Sequence, residues 1–479
     1  MENDVKNPTK KQLIVTVITT LTVLIVLTPF ILRLFGIPLG ECRHLYRPSK
    51  DSISAGEFEV GVKRSRCLWC KDTVTEREKA TVHLPQLYLF GDTDGISKDN
   101  TCMMRAEYYD ADVSIRNYAT IKYQGHTSMA FEKKNYTIKF FSEPNESKKE
   151  KISVNGWEPT NKYCLKANYI DFSSSRNVVS ANVWSEVVAS RKDLDENIAE
   201  LEHRGAIDGY PIALFINDVY QGIYTFNIPK DEDTYKIADE ENEAMFVINS
   251  AFSDAANFRA PISEQDKKAV FDLEYIYPED TEWAYDSIDK LIAFVIENDG
   301  ENFKNGIHNY LDVDAAIDYL ICAYVLGVTD NFSKNMILLT YDGQIWIPSM
   351  YDLDTACGLA FDGTGYFDHG FSLPTIGEGG VIYSGTESLL WDRILNNYTE
   401  ELTERYFELR AGILATEKLV EQYCSFVDSI PDSCYDRERE LYPKAPGSSV
   451  DQKEQISSFL TSRCEALDIA ISTLNEVKK

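Results

Sequence analysis

The segment TDNFSKN, residues 329–335, carries a pair of side chains whose spacing fits phosphoryl transfer. Asp330 precedes Asn335 by five positions, between two strongly apolar stretches. This D-x-x-x-x-N spacing is typical of a loop in which the aspartate is the catalytic base and the asparagine is a metal ligand. A single aspartate at such a place more often caps a turn, so the pair needs support from a second motif.

That second motif is YDLDTACG, in which Asp352 and Asp354 offer the hard oxygen atoms that Mg²⁺ prefers. The chain between the two motifs predicts a β-hairpin from Met336 to Pro348, turning at Asp342-Gly343. A hairpin returns the chain to its start, so we expect both acidic motifs to lie side by side and to form one metal-dependent site.

The elements that must position these motifs change in type along the chain. Alternating apolar residues predict strands, which are QLYLF, ATIKY, NYTIKF, KYCLKANY, PIALFIN and GIYTFNI. Helical spacing predicts one helix among them, SSSRNVVSANVWSEVVA, and mostly helices beyond Lys230. We therefore predict an α+β domain over 84–475, with a β-rich part at 84–230 and a mainly helical part at 231–475.

The two motifs together resemble the signature of the CotH kinase family, relatives of spore-coat protein H. GVTDNFSKNMILL and MYDLDTACG are similar to its D-x-H-x-x-N segment and its D-x-D-x-x-x-G motif. Three further stretches resemble the family in the same order: ATIKYQGHTSMAFEKKNYTIKF, CLKANYIDFSSSRN and LFINDVYQGIYTFNIPKD. The resemblance covers the chain from about residue 84 to about residue 475.

The resemblance implies a bilobal atypical protein-kinase-like fold, with a small, mainly antiparallel β lobe containing one helix before a larger helical lobe. It implies transfer of the ATP γ-phosphate, with Mg²⁺ or Mn²⁺, to Ser or Thr hydroxyl groups of a spore-coat or envelope protein. Asp330 would be the base, and Asn335, Asp352 and Asp354 the metal ligands. A non-catalytic spore-coat or cell-surface protein on the same fold is the alternative. Transfer of AMP is a third possibility.

Residues for the nucleotide follow from the same resemblance. Lys139 occupies a place like that of the lysine that pairs with phosphates, and Lys133, Lys134 and Lys166 are alternatives for that role. Glu186 on the predicted helix is a candidate partner for Lys139, and a solvated helical glutamate is the simpler interpretation.

The resemblance also implies which backbone segments would surround the nucleotide. The turn from Gly125 to Ser128 would cover the phosphates with N–H groups. Tyr224 to Ile228 would run beside the adenine. The chain departs from the family pattern where Gln124 replaces a usual arginine and Phe332 a usual histidine.

The charge of the chain limits its partners. The chain has 48 basic and 77 acidic residues and a formal net charge of −29. Nucleic-acid binding rests on lysine and arginine that neutralise phosphates, so we predict no nucleic-acid partner. An acidic surface instead suits a neutral or basic protein substrate, and we expect a Ser/Thr-rich one.

The N-terminal region predicts a membrane anchor. A short tail, 1–12, precedes LIVTVITTLTVLIVLTPFIL, which is twenty residues without a charge. Such a helix is long enough for a hydrocarbon core of about 30 Å, so 13–34 is predicted as a transmembrane helix and 35–83 as a juxtamembrane segment. A cleaved signal peptide is the alternative. The prediction is a single-pass protein with an extracytoplasmic C-terminal domain.

The ten cysteines are scattered, and Cys67 and Cys70 form the one C-x-x-C motif. Half a zinc site or a redox pair are the functional interpretations of this motif. Without a second C-x-x-C or a nearby pair of histidines, the sequence favours a local disulfide or plain thiols.

Overall fold

A computed structural model describes residues 9–35, 44–125, 127–237, 242–278 and 281–478. The chain forms two compact units. The smaller unit holds residues 1–83 together with 218–220, and the larger unit holds 84–217 together with 221–479. All site residues predicted from the sequence therefore belong to the larger unit.

The smaller unit contains a helix and a three-stranded antiparallel sheet. The helix is α1 (Lys10–Leu34), and the strands, in spatial order, are β1 (Tyr46–Pro48), β2 (Gly61–Cys67) and β3 (Thr73–Glu78). Side chains of β2 and β3 are mostly exposed or half-buried, and Lys63 lies opposite Glu76. Opposite charges across an antiparallel pair stabilise the pairing. The sequence did not predict these strands, because residues 35–83 have mixed charge and little periodicity.

The apolar run predicted to span a membrane lies in α1. Five threonines interrupt it, and four of their hydroxyl groups donate to backbone carbonyl groups one turn earlier. Among the residues whose placement is described, no helix combines the length and the apolar character that a membrane crossing requires. The predicted transmembrane helix at 13–34, and with it the single-pass membrane location, is therefore wrong.

Seven strands of the chain close into a barrel. They are β4 (Gln86–Phe90), β5 (Cys102–Tyr109), β6 (Ser114–Gln124), β7 (Asn135–Phe141), β8 (Lys162–Lys166), β9 (Gly209–Ile216) and β10 (Val219–Asn227). Their spatial order is β10-β8-β7-β6-β5-β4-β9, and β4 runs parallel to β9. All of them except β5 coincide with predicted strands. In β5, three consecutive buried residues interrupt the expected alternation.

Two helices lie between β8 and β9 in the chain, α2 (Arg176–Ala189) and α3 (Glu196–Glu200). The first confirms the predicted helix. Ten of its residues are buried, because apolar side chains cover most of its surface. Trp184 donates from its indole nitrogen to Ser349 at 3.3 Å, which fixes α2 to a later strand.

Beyond the barrel, a second sheet carries the predicted hairpin. Its strands are β11 (Glu243–Ile248), β12 (Phe271–Tyr277), β13 (Met336–Thr340) and β14 (Ile347–Met350), in the order β12-β11-β13-β14. The hairpin of β13 and β14 was predicted. The strands β11 and β12 were not, since they stand in a region that the sequence assigned mainly to helices.

Helices fill most of the remaining chain. They are α4 (Glu264–Ala269), α5 (Glu282–Glu297), α6 (Gly300–Gly306), α7 (Val313–Leu326), α8 (Leu389–Asn397), α9 (Thr399–Arg410), α10 (Thr416–Asp428), α11 (Asp432–Leu441) and α12 (Gln452–Lys478). A short hairpin, β15 (Thr375–Ile376) with β16 (Ile382–Tyr383), lies before α8. The mixed α+β class is confirmed, and the bilobal kinase-like arrangement stays a prediction.

The helix α7 places the first motif. Asp312 caps its first turn by accepting from the N–H of Ala315 at 2.8 Å. Every residue of α7 except Asp314 is buried, so the helix is a fixed part of the core. It ends at Gly327, whose φ of 59° suits glycine, and TDNFSKN begins two residues later.

Candidate functional site

The hairpin brings the two predicted motifs together. Met336 pairs with Met350 in the register of β13 and β14, so Asn335 precedes one strand where Tyr351 follows the other. The backbone N–H of Asn335 donates to the carbonyl of Ile248 at 2.7 Å, which holds this residue at a φ of 59°. The backbone of the predicted hairpin therefore brings the two motifs next to each other.

Hydrogen bonds tie the two motifs to each other. The side-chain N–H of Asn331 donates to the carbonyl of Tyr351 at 2.7 Å, and the hydroxyl of Thr329 donates to the carbonyl of Leu359 at 3.1 Å. The N–H of Cys357 also donates to the carbonyl of Leu326 at 2.7 Å. These bonds fix the acidic loop relative to the end of α7.

A buried ion pair supports the loop that bears Asp352 and Asp354. The fully buried Arg176 pairs with Asp171 and donates from Nε to the carbonyl of Ala356 at 3.0 Å. Next to it, the side-chain oxygen of Asn177 accepts from the N–H of Leu353 at 2.9 Å. The segment that resembles the family's D-x-S-x-x-R-N therefore acts as a brace for the acidic loop.

A cavity of about 860 Å³ gathers most of the predicted site residues. Its walls include all four residues of the two motifs, which we call the acidic set: Asp330, Asn335, Asp352 and Asp354. Four further residues predicted to bind the nucleotide also line it: Gly125, Ser128, Lys139 and Lys166. Nine lysines and five acidic residues line this cavity, although the whole chain has a net charge of −29. Such a local excess of positive charge attracts an anionic ligand.

Carboxylates crowd within the acidic set. Burial, together with the neighbouring charges of Asp352 and Asp330, raises the pKa of Asp354 well above its usual range. The ammonium group of Lys166 lies 3.4 Å from Asp352 and partly offsets this negative charge. Burial alone would lower the pKa of Lys166, but Asp352 and Asp354 outweigh it, and the pKa is raised. The lysine therefore stays charged beside the carboxylates.

Lys334 is a residue that the sequence interpretation missed. It forms an ion pair with Asp330 four residues earlier, and both side chains line the cavity. The i, i+4 spacing inside TDNFSKN was the available signal. Lys334 can hold the Asp330 carboxylate in one orientation and offers a cation at the same wall.

The four candidate lysines occupy different environments. Lys133 is buried, where it pairs with Glu438 at 2.6 Å and stands over the ring of Tyr224 at 4.5 Å. Burial lowers its pKa despite that partner. Lys134 donates to the carbonyl of Met129 at 2.8 Å, so both residues hold protein structure. Lys166 lies at the acidic set.

Lys139 stands among other lysines on the barrel wall. It lies opposite Lys162 in the register of β7 and β8, and with Lys122 these residues form what we call the lysine set. Partial burial and the charges of Lys162 and Lys122 lower the pKa of Lys139. Lys162 also pairs with Asp231 at 3.2 Å.

Glu186 does not take the proposed part as a partner of Lys139. Its carboxylate pairs with Lys418 and accepts from the side chain of Gln422 at 2.8 Å. Glu186 therefore braces α2 against α10, and that interpretation of the sequence is wrong.

The turn after β6 reaches the cavity as expected. Gly125 has a φ of 102°, and a Cβ there would stand 2.0 Å from the hydroxyl oxygen of Ser128. Only glycine fits this position. The Ser128 hydroxyl accepts from the side chain of Asn135 at 3.3 Å. His126, within the same predicted turn, lies outside the described residues.

Tyr224 is buried in the barrel and does not line the cavity. Its ring lies beneath Lys133 and near Tyr136, with centroids 6.1 Å apart. Burial raises its pKa well above the usual range. Pro229 and Lys230, just after β10, do line the cavity, so the predicted strand approaches it a few residues later.

The two departures from the family pattern have different surroundings. Phe332 is buried against Tyr324 and faces the core, with its carbonyl accepting from Trp391 at 2.6 Å. Gln124 lines the cavity and donates to the sulfur of Cys164 at 3.4 Å. Within the described part of the chain, the buried Oε1 of Gln124 has no hydrogen-bond partner.

The chemistry of the acidic set fits a hard divalent cation. Asp352, Asp354 and Asn335 supply carboxylate and amide oxygen atoms, the donors that Mg²⁺ and Mn²⁺ prefer. Burial and the neighbouring carboxylates raise the pKa of Asp354, and a bound cation would favour its charged form. The residues present therefore fit the metal that the sequence predicted.

Comparison with known proteins identifies the family of the domain. A family model described as CotH kinase protein matches residues 121–467. The matched stretch is well over half of the chain and contains the acidic set, the lysine set and the brace at Arg176. No curated protein matches the chain.

Proposed function

We propose that the chain, which belongs to the CotH kinase family, is a protein kinase that transfers the γ-phosphate of ATP to Ser or Thr hydroxyl groups of a spore-coat or envelope protein. One observation carries the proposal: a single cavity is lined by nine lysines, which give it an excess of positive charge for phosphate groups, and by the acidic set for a metal ion. Phosphoryl transfer needs these two components and a base near the acceptor hydroxyl.

In this proposal the acidic set holds the metal, with Asp352, Asp354 and Asn335 as ligands. A Mg²⁺ or Mn²⁺ ion held by these residues would supply positive charge for the phosphate oxygens. The brace of Arg176 and Asn177 keeps the acidic loop in place before any ligand arrives, because its hydrogen bonds are made within the protein. Ligand residues that are already ordered bind a cation without the entropy cost of ordering them.

Asp330 is the proposed base. Its carboxylate reaches the cavity wall and takes the proton of the incoming hydroxyl, while Lys334 fixes its orientation. A correctly placed base of this kind contributes about 10²- to 10⁴-fold to a rate. Phe332 is buried and does not line the cavity, whereas Asp330 and Asn335 both do, which favours activity over a loss of catalysis.

Lys166 is the proposed lysine for the phosphates. It is the candidate that contacts the acidic set, at 3.4 Å from Asp352, whereas Lys133 and Lys134 are held by protein groups. The lysine set adds less specific positive charge, with Lys139 as a secondary contact. Gly125 and Ser128 would cover the phosphates. We also propose the kinase-like division into a β lobe, 84–230, and a larger helical lobe, 231–475.

The test uses the full chain, with ATP binding followed by calorimetry in Mg²⁺ or Mn²⁺ and transfer followed as labelled phosphate on the protein itself. The Asp330→Asn variant is expected to keep ATP binding and to lose transfer about 10²- to 10⁴-fold. Asp193→Asn, an exposed aspartate that does not line the cavity, is the control and should behave as wild type.

Three results would contradict the proposal. Wild-type transfer by Asp330→Asn would remove the base assignment. Absence of ATP binding with either metal would favour the non-catalytic scaffold. Intact mass that shows added AMP, rather than phosphate, would change the transferred group. A Ser/Thr-rich basic peptide then tests the substrate class.

A further inference from the structure

The C-x-x-C motif of the smaller unit forms the turn between β2 and β3. Cys67 is the last residue of β2, and its backbone N–H donates to the carbonyl of Asp72 at 2.7 Å. Cys70 lies within the turn that this bond closes. Two residues of spacing on a tight turn direct both thiols to one side, which is the arrangement of many structural zinc sites.

A histidine from a distant part of the sequence completes the cluster. His44 lies just before β1, whose Tyr46 pairs with Cys67 in the sheet register. The pairing brings the His44 Nδ1 atom to 3.3 Å from the sulfur of Cys70. The ligand atoms of His44, Cys67 and Cys70 all lie within 4.8 Å of one another. Tetrahedral zinc with bonds of about 2.0–2.3 Å sets its ligand atoms at about 3.5 Å from one another.

The two cysteines are present as separate thiols. Neither Cys67 nor Cys70 is in a disulfide, so of the two states that the sequence favoured, a local disulfide or plain thiols, the structure has the thiols. Cysteine binds a metal ion as the thiolate, and the ligand atoms of Cys67 and Cys70 lie within reach of a single ion.

The smaller unit also has little apolar material with which to hold its sheet. All residues of β1 are exposed, and most side chains of β2 and β3 are exposed or half-buried. Small sheets with little core usually depend on a disulfide or a metal ion for stability. A cross-link joining the chain before β1 to the turn after β2 would tie together all three strands.

We propose that His44, Cys67 and Cys70 bind a structural zinc ion that holds the smaller unit's sheet together. Zinc accepts exactly this mixture of imidazole nitrogen and thiolate sulfur, whereas Mg²⁺ requires oxygen ligands. A carboxylate oxygen of Asp72 lies 3.8 Å from the same His44 nitrogen and also accepts from Tyr46 at 2.8 Å. This carboxylate can complete the coordination as a fourth ligand.

The proposal rests on these three ligands alone. The sequence has a further cysteine, Cys42, two positions before His44, and it lies outside the described residues. The site is also separate in chemistry from the acidic set, whose oxygen donors bind a different class of ion. Failure of one proposal therefore leaves the other intact.

The experiment measures metal on the full chain after purification with zinc and without reducing-agent excess. We expect about one zinc ion per chain by elemental analysis. Replacement of zinc by Co²⁺ should give the thiolate-to-cobalt charge-transfer band, which oxygen ligands cannot produce. Cys67→Ser and His44→Ala should each weaken zinc retention at least about 10-fold.

Matched variants separate this site from others. Cys424→Ser removes a half-buried thiol of the larger unit, 3.6 Å from Ser457, and should keep both the zinc and the cobalt band. Asp352→Asn alters the acidic set and should also keep them. If Cys67→Ser does not fold, chelation of the wild-type chain replaces it. Loss of the band should then expose residues 44–83 to protease, and added zinc should restore protection.

The proposal fails on any of three results. The first is a wild-type chain that retains less than about a tenth of an equivalent of zinc and gives no cobalt band. The second is an unchanged cobalt band in Cys67→Ser. The third is a Cys67–Cys70 disulfide found by mass spectrometry in the purified protein. The last result would assign the motif to redox chemistry.

Discussion

The acidic set and the lysine set line the same cavity but are held in different ways. Around the acidic set, the side chain of Asn331 donates from the first motif to a backbone carbonyl of the second, and the buried Arg176 supports the loop of Asp352 and Asp354. Around the lysine set, Lys139 is exposed on a strand and faces other lysines that lower its pKa. The acidic set is held in a defined geometry, whereas the lysine set contributes mainly its positive charge.

This difference indicates which property each group contributes. A metal ligand must stand at a defined distance, so its supporting residues matter nearly as much as the ligand itself. A positive surface that attracts phosphates acts through the summed field, so no single lysine of it is essential. Substitutions in the two sets should therefore differ in size and in their dependence on salt.

The largest effect is expected for Asp354→Asn. The amide keeps the shape of the side chain but removes the charge that holds a divalent cation, so metal-dependent ATP binding should weaken by at least about 100-fold, beyond the range of supporting residues. Calorimetry with ATP and Mg²⁺ measures it. Asp368→Asn is the control: an exposed aspartate of the following loop that can still accept from Gly370. Equal ATP affinity in Asp354→Asn and wild type would remove Asp354 from the site.

A smaller effect on binding, with a large effect on stability, is expected for Arg176→Gln. Breaking a buried ion pair leaves Asp171 without its partner and should lower the free energy of unfolding by about 3–5 kcal/mol. The loss of support at the Ala356 carbonyl should also weaken metal affinity by about 10- to 100-fold. Denaturant unfolding and metal titration on the full chain measure the two effects.

Arg191→Gln is the matched control for this variant. Arg191 is similarly buried and pairs with Asp318 at 2.6 Å, but neither residue lines the cavity. It should lower stability while it leaves the metal affinity of the folded protein unchanged. If both variants weaken metal binding equally, the effect of Arg176 is general loss of structure and the brace is not specific to the acidic loop.

The sequence predicted the acidic set because that set is encoded locally. Asp330, Asn335 and the D-x-D motif lie on either side of one hairpin, so turn chemistry and alternation are enough to bring them together. Six barrel strands followed from the same kind of local pattern. The strand β5 and the strands β11 and β12 escaped it, because their partners and burial are set by distant parts of the chain.

The contacts that the sequence did not predict depend on packing between distant parts of the chain. Arg176 supports a loop 180 positions later, and no local pattern signals that contact. The sequence put Lys139 first as the phosphate ligand, with Lys133, Lys134 and Lys166 as alternatives, and only the partners in the structure separate Lys166 from Lys133. His44 likewise meets Cys70 through the pairing of β1 with β2, 26 positions away in the chain.

Lys166→Met is expected to lower ATP affinity by at least about 10-fold. The substitution keeps the length of the side chain and removes a charge that lies beside Asp352, and a hydrogen bond to a charged group is worth about 1.5–3 kcal/mol. Lys133→Met is the comparison, because its partners are Glu438 and a backbone carbonyl. It should lower stability and leave the affinity of the folded protein near wild type. The reverse order would move the phosphate contact to Lys133.

The smallest effect is expected for single changes in the lysine set. Lys139→Ala and Lys122→Ala should each weaken ATP binding by about 1.5- to 5-fold, since an exposed charge contributes about 0.2–1 kcal/mol. Because both lysines act through their long-range electrostatic field, the double variant should lose close to the sum of the two binding free energies. This loss of ATP affinity should shrink as salt is raised toward 1 M, where the Debye length is about 3 Å. The effect of Asp354→Asn should persist at that salt concentration, because bonds between ligand and metal are direct. A salt-insensitive loss of more than about 50-fold in Lys139→Ala alone would show a fixed contact at Lys139, and the contrast between the two sets would no longer hold.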